Sequence, residues 1–159
     1  MNLNDLIQIL MGGLGTLGFS LLFNVRGRKL IFATLGGLLS WAAFLALENW
    51  FPSEALRYFL STAAITVYCE ILARLEKTPT TTFLVPVVIP LIPGSALYYT
   101  MNYALNEQWR QFATQAFYTL ELALALAVGI IAMTTLVRLG TIIGRTIKKQ
   151  APDHFHHSI

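Results

Sequence analysis

The chain has 159 residues, of which 55% are apolar and only 12% charged, against about 25% charged in an ordinary soluble domain. At 17.7 kDa and a mean hydropathy of +0.61, so short a chain cannot hide that much apolar surface in a water-soluble core. That excludes a soluble enzyme and a disordered segment and points to a polytopic membrane protein, in which the formal charge of +3 reports topology and not nucleic-acid binding.

Five stretches meet or approach the roughly 20 apolar residues that a helical span needs. The first, Leu3–Phe23, is uncharged from Leu6 onward, and the second, Leu30–Leu47, carries no charge. The third, Ala55–Leu75, holds Arg57, Glu70 and Arg74. The fourth lies in the uncharged stretch Thr78–Asn106, and the fifth, Phe112–Val137, is interrupted only by Glu121. The predicted fold is all-α, with five transmembrane helices over residues 1–144 and the fourth helix broken by prolines. A basic cytosolic tail, residues 145–159, follows and carries His154, His156 and His157.

Lys and Arg alternate with these spans. Arg26, Arg28, Lys29, Arg74, Lys77, Arg138, Arg145, Lys148 and Lys149 fall on one side, and only Arg57 and Arg110 on the other. Since cytoplasmic loops hold the excess of cations, the N-terminus is expected outside and the C-terminus in the cytoplasm. The first 25 residues contain no Lys or Arg, unlike a signal peptide with its basic leading region. Trp50 and Trp109 are placed for an outer aromatic belt.

Gly13-Leu-Gly15-Thr-Leu-Gly18 matches a dinucleotide-binding pattern. That pattern requires a preceding strand and a βαβ unit, and here it lies within an apolar span. Packing is the better reading: Gly12, Thr16 and Ser20 recur every four residues, a small-residue stripe that lets helices approach closely. The single cysteine, Cys69, allows no internal disulfide and no Cys-rich metal site. With no catalytic triad, phosphate loop or paired carboxylates in view, no enzyme, cofactor or metal is implied.

The fourth stretch carries the strongest signal. Pro86, Pro90 and Pro93 fall within eight residues, and Gly94 follows. Each proline deletes a backbone donor and clashes with the carbonyl four residues back, so the helix should break. Open backbone at membrane depth survives only when buried in protein or lining a wet cavity, and broken spans are how many transporters build substrate sites. The candidate substrate residues are therefore Pro90, Pro93, Gly94, Ser95 and Tyr98. The amides that open the second half-helix would suit a carboxylate. A kinked, purely structural helix is the alternative.

Three charged groups lie within spans. Glu70 and Arg74, four apart, share a helix face; they form either an interfacial ion pair or a functional one. Glu121 lies nine residues beyond Phe112, about 13 Å along a helix. A carboxylate that deep marks a proton or substrate role, unless the span sits shallower than its sequence indicates.

Phe83-Leu-Val-Pro-Val-Val-Ile-Pro-Leu-Ile-Pro-Gly94 followed by Tyr98-Tyr-Thr-Met101 resembles the signature of the threonine/serine exporter (ThrE) family. More narrowly it resembles the C-terminal half, found alone in YjjB-type subunits. Phe23-Asn24-Val25 with Arg28, and Ala73-Arg74 leading to Lys77-Thr78-Pro79, resemble the same half. The resemblance implies a secondary exporter of threonine and serine, or of small dicarboxylates such as succinate, driven by the proton-motive force in a bacterial plasma membrane. It also implies a partner, either an N-terminal-half subunit (YjjP-like) or another copy of the chain. A non-transporting structural or regulatory subunit and a passive channel are the competing readings.

Overall fold

The structure, a computed structural model, describes the backbone of residues 3–150 and the side chains of residues 3–143. Its helices are α1 Leu3–Leu22, α2 Arg28–Ala46, α3 Glu54–Leu75, α4 Thr81–Val88, α5 Gly94–Leu105 and α6 Trp109–Gln150, with 3₁₀ turns at Leu47–Asn49 and Ile89–Leu91. Four helices are long and apolar enough to cross a membrane, and the bent pair α4–α5 counts as a fifth span if taken as one. The expected all-α architecture is the one observed, and the proline-rich fourth stretch is divided into two helices, α4 and α5.

Three helices end in the same way. Asn24, Lys77 and Glu107 adopt left-handed backbone conformations, with φ of 59°, 50° and 55°. The next residue then donates its N–H five residues back: Val25 to Ser20, Thr78 to Ala73 and Gln108 to Tyr103, each at 2.9 Å. This is the Schellman arrangement, which satisfies carbonyls that a helix end would otherwise leave open. The α3 start is set by Ser53, whose hydroxyl accepts from the Leu56 N–H at 3.4 Å.

Helix packing follows the small residues. α1 and α2 run antiparallel, with Trp41 Nε1 donating to Gln8 Oε1 at 3.2 Å near one end. Thr16 and Ser20 of the expected stripe are fully buried, and Gly37 faces Thr16 with no room for a side chain. Gly15 and Gly18 face open space, so the stripe, and not the whole glycine pattern, serves the contact. α3 is antiparallel to α2, and Tyr68 Oη donates to the Phe32 carbonyl at 2.8 Å. α3 and α6 run parallel, since α6 pairs in order with the start, middle and end of α3 through Tyr118–Glu54, Gly129–Thr62 and Thr141–Arg74. A Cβ at Gly129 would stand 2.8 Å from the Phe59 carbonyl oxygen, so glycine sets the approach of these two helices.

This connectivity sorts the charges. One end of the bundle holds Asp5, Glu48, Glu54, Glu107, Arg57 and Arg110. The opposite, basic end holds Arg26, Arg28, Lys29, Arg74, Lys77 and Arg138, with Glu76 among them. Trp50 and Trp109 are exposed at the acidic end. The expected boundary between membrane domain and tail, at residues 144 and 145, falls inside α6, whose backbone stays helical to Gln150. Residues 151–159, with His154, His156 and His157, lie outside the described residues.

Candidate functional site

The break in the fourth span is built by its prolines. α4 tolerates Pro86 in its interior but ends at Val88, and one 3₁₀ turn carries the chain through Pro90 to Leu91. Ile92 is extended, with ψ of 127°, as the residue before a proline tends to be. Pro93 follows at φ −73°, ψ 64°, and α5 leaves at 59° to the preceding segment. The Gly94 N–H folds back onto the Ile92 carbonyl at 2.7 Å, while the N–H groups of Ser95 and Ala96 have no backbone acceptor among the described residues. Eleven residues from Thr81 to Leu91 rise about 16 Å, so the break sits near half the depth of a 30 Å hydrocarbon core.

The five expected substrate residues divide at this point. Pro90 packs inward, its ring near Gly12 of α1, and Pro93 is buried. Gly94, Ser95 and Tyr98 face outward, Tyr98 being 67% exposed. Tyr98 stacks edge-on against its neighbour Tyr99, with ring centroids 5.5 Å apart. Pro90 and Pro93 thus lie on the inner side of the break, and Gly94, Ser95 and Tyr98 on its outer side.

Most buried hydroxyls are satisfied by their own helix. Thr16 donates to the Gly12 carbonyl, Thr62 to Tyr58 and Thr66 to Thr62, at 3.0, 2.6 and 2.7 Å. Ser20 Oγ and Ser61 Oγ are buried with no partner among the described residues. Across the seam between α5 and α6, the Thr100 and Thr119 hydroxyls lie 2.9 Å apart. At the acidic end Tyr118 Oη donates to Glu54, Arg57 pairs with Glu48 at 3.5 Å, and the Arg57 guanidinium lies 5.0 Å from the Phe44 ring centre.

The membrane-depth charges fall in three different settings. Glu70 is only 6% exposed, and among the described residues it makes no hydrogen bond and no ion pair. Arg74, expected as its partner, instead donates to Thr141 Oγ1 of α6 at 2.7 Å. The rotamer that reaches α6 takes the guanidinium across the helix seam, so sharing a face with Glu70 does not produce contact. Glu121 is exposed, in an outward stripe with Phe117, Leu124 and Val128. α6 begins at Trp109, three residues earlier than the sequence indicates, which puts Glu121 about 18 Å into the helix.

A polar cavity of about 430 Å³ lies at the acidic end, lined by Tyr103, Arg110, Gln111, Thr114 and Gln115. Sequence reasoning took Arg110 only as a topology marker. The signal available was the spacing of Arg110, Thr114 and Gln115 on one turn-and-a-half of α6 facing the end of α5. The groups suit a small zwitterion or dicarboxylate: one guanidinium for a carboxylate, amides and hydroxyls for the remainder.

No curated protein and no solved structure matches the chain. The family model described as "Threonine/Serine exporter, ThrE" matches residues 8–136. That match takes in the broken fourth span and the seams around it, and the chain therefore belongs to the threonine/serine exporter family, a family of multi-pass membrane transporters and not of enzymes.

Proposed function

We propose that the chain is a YjjB-type membrane subunit of a secondary exporter, driven by the proton-motive force. Its substrates are small amino acids, threonine and serine, or small dicarboxylates of the succinate kind. It acts with a YjjP-like N-terminal-half subunit or with a second copy of itself. The carrying observation is the mid-depth break: the α5 N-terminus begins at the exposed Gly94 and Ser95, with the Ser95 and Ala96 amides lacking a backbone acceptor among the described residues. A half-helix opening of this type suits an anionic substrate group.

The outward position of Gly94, Ser95, Tyr98 and Glu121 supports the partner. A carboxylate and an open backbone facing lipid at this depth are expensive, and a second protein element would cover both. The substrate then lies between two walls, Pro90 and Pro93 shaping one of them from behind, and Glu121 carries the proton. Glu70 is the second candidate for coupling, and Arg74 holds α3 to α6. The cavity at Arg110 serves as the exit vestibule if the acidic end faces outward, the N-terminus lying outside and the C-terminus in the cytoplasm of the bacterial inner membrane. Reporter fusions at both termini test that orientation.

Counterflow in proteoliposomes tests the function, with the chain alone, with the N-terminal-half subunit, and against a panel of threonine, serine and succinate. Exchange of at least one of these, collapsing in net export when an uncoupler is added, is expected. Equal downhill flux with and without the gradient would mean a channel. No flux in any combination would leave a structural subunit.

A further inference from the structure

At the basic end a second cavity, about 510 Å³, opens between the last turn of α3 and the stretch of α6 beside it, and is lined by Arg74, Arg138, Thr141 and Ile142. Two guanidiniums face one space. Arg74 donates to Thr141 Oγ1 at 2.7 Å, and Arg138 makes no bond among the described residues. Glu70 stands one turn from Arg74 on α3, yet no carboxylate lies within ion-pair distance of either arginine among the described residues. Among the described residues the charge of the cavity is therefore uncompensated.

The surroundings are those of a membrane surface. Ile71 and Leu75 on α3, and Leu139 and Ile142 on α6, are more than half-exposed or close to it, at 54%, 72%, 50% and 60%. An occupant must offer an anion to the arginines and tolerate an apolar flank. Arginine forks hold phosphate oxygens in bidentate fashion, and basic pockets between membrane helices take anionic headgroups. We propose that this cavity binds the phosphodiester headgroup of an anionic phospholipid, with the acyl chains running past the exposed Ile71 toward the middle of the bundle. The lipid then bridges α3 and α6 at the end where Arg74–Thr141 is their polar link. This site lies at the far end of α6 from the Arg110 cavity and does not depend on which substrate is exported.

The test uses the purified full chain in dodecyl maltoside, titrated with dioleoylphosphatidylglycerol or dioleoylphosphatidylcholine and read by native mass spectrometry. Wild type should prefer phosphatidylglycerol. Each surface cation contributes about 1 kcal/mol, so Arg138→Gln should weaken that preference about fivefold, and Arg74→Gln with Arg138→Gln about thirtyfold. Arg26→Gln with Arg28→Gln, at the same end but outside the cavity, should leave it unchanged. Thr141→Val separates loss of the interhelical bond from loss of charge and should retain the preference. If the double variant fails to fold, Arg138→Gln decides alone, since that guanidinium bonds nothing in the described chain. An unchanged preference in Arg138→Gln overturns the proposal. So does equal protection of the cavity by inorganic phosphate or succinate without lipid, which would assign it to a soluble anion.

Discussion

α4 and α5 are cut from one uncharged stretch of sequence, yet they meet different surroundings. Phe83 and Val87 of α4, and Leu91 just beyond it, are completely buried at a four-residue spacing, whereas α5 buries only Ala96. α4 packs against α1, α2 and α3; α5 packs chiefly on α6. The three prolines let one span belong to two bodies, its first half sealed in the bundle and its second half attached at one seam. What is a wall for α4 is an opening for α5, and the residues proposed for the substrate straddle the transition.

The largest effect should come from erasing the difference. Pro90→Ala with Pro93→Ala restores two backbone donors, and helix propensity favours a straight span by about 3 kcal/mol per proline removed. Counterflow per folded molecule should fall to background while insertion persists, because the segment stays apolar. Normal specific transport would make the break structural only, and the substrate site would move to α3 and α6.

Next comes the stripe that α5 shares its outward side with. Glu121→Gln should abolish uphill, proton-driven export and spare substrate exchange, measured in the same proteoliposomes with and without a pH gradient. Survival of both would leave Glu121 an interfacial residue.

Truncations then compare the halves directly. Phe83→Ala leaves a cavity in the sealed half and should cost about 3 kcal/mol or more in unfolding from mixed micelles. Leu97→Ala, exposed in the single chain, should change the isolated subunit by less than about 0.5 kcal/mol. If Leu97→Ala instead weakens the assembled transporter, a partner covers α5. A small effect also belongs to the seam itself: Thr100→Val removes the hydroxyl contact with Thr119 and should cost about 0.6 kcal/mol, the usual value between membrane helices.

The long apolar helices and the break were legible because apolar length and proline chemistry are local properties. The family followed from the same proline motif. The rotation of each helix was not legible. In a membrane both faces of a helix are apolar, so periodicity carries little signal about which face meets protein. That is why Tyr98 and Ser95 could not be assigned to an outward wall, nor Arg74 to Thr141. The end of α6 was hidden for another reason: Arg138 marks where water begins, and a charged residue does not stop a helix. The left-handed turn positions Lys77 and Glu107 were invisible, since neither is the glycine or asparagine that usually signals such a cap.

Those turns have a practical consequence. Each closes a helix with a backbone bond five residues back, and Asn24, Lys77 and Glu107 are all exposed. A reporter or affinity handle inserted there loads a joint and not the bundle, as exposed turn tips usually allow. Asn24 and Lys77 open at the basic end, and Glu107 at the acidic one. The chain thus offers attachment points on both faces of a membrane, through which each side of an assembled transporter could be tracked separately.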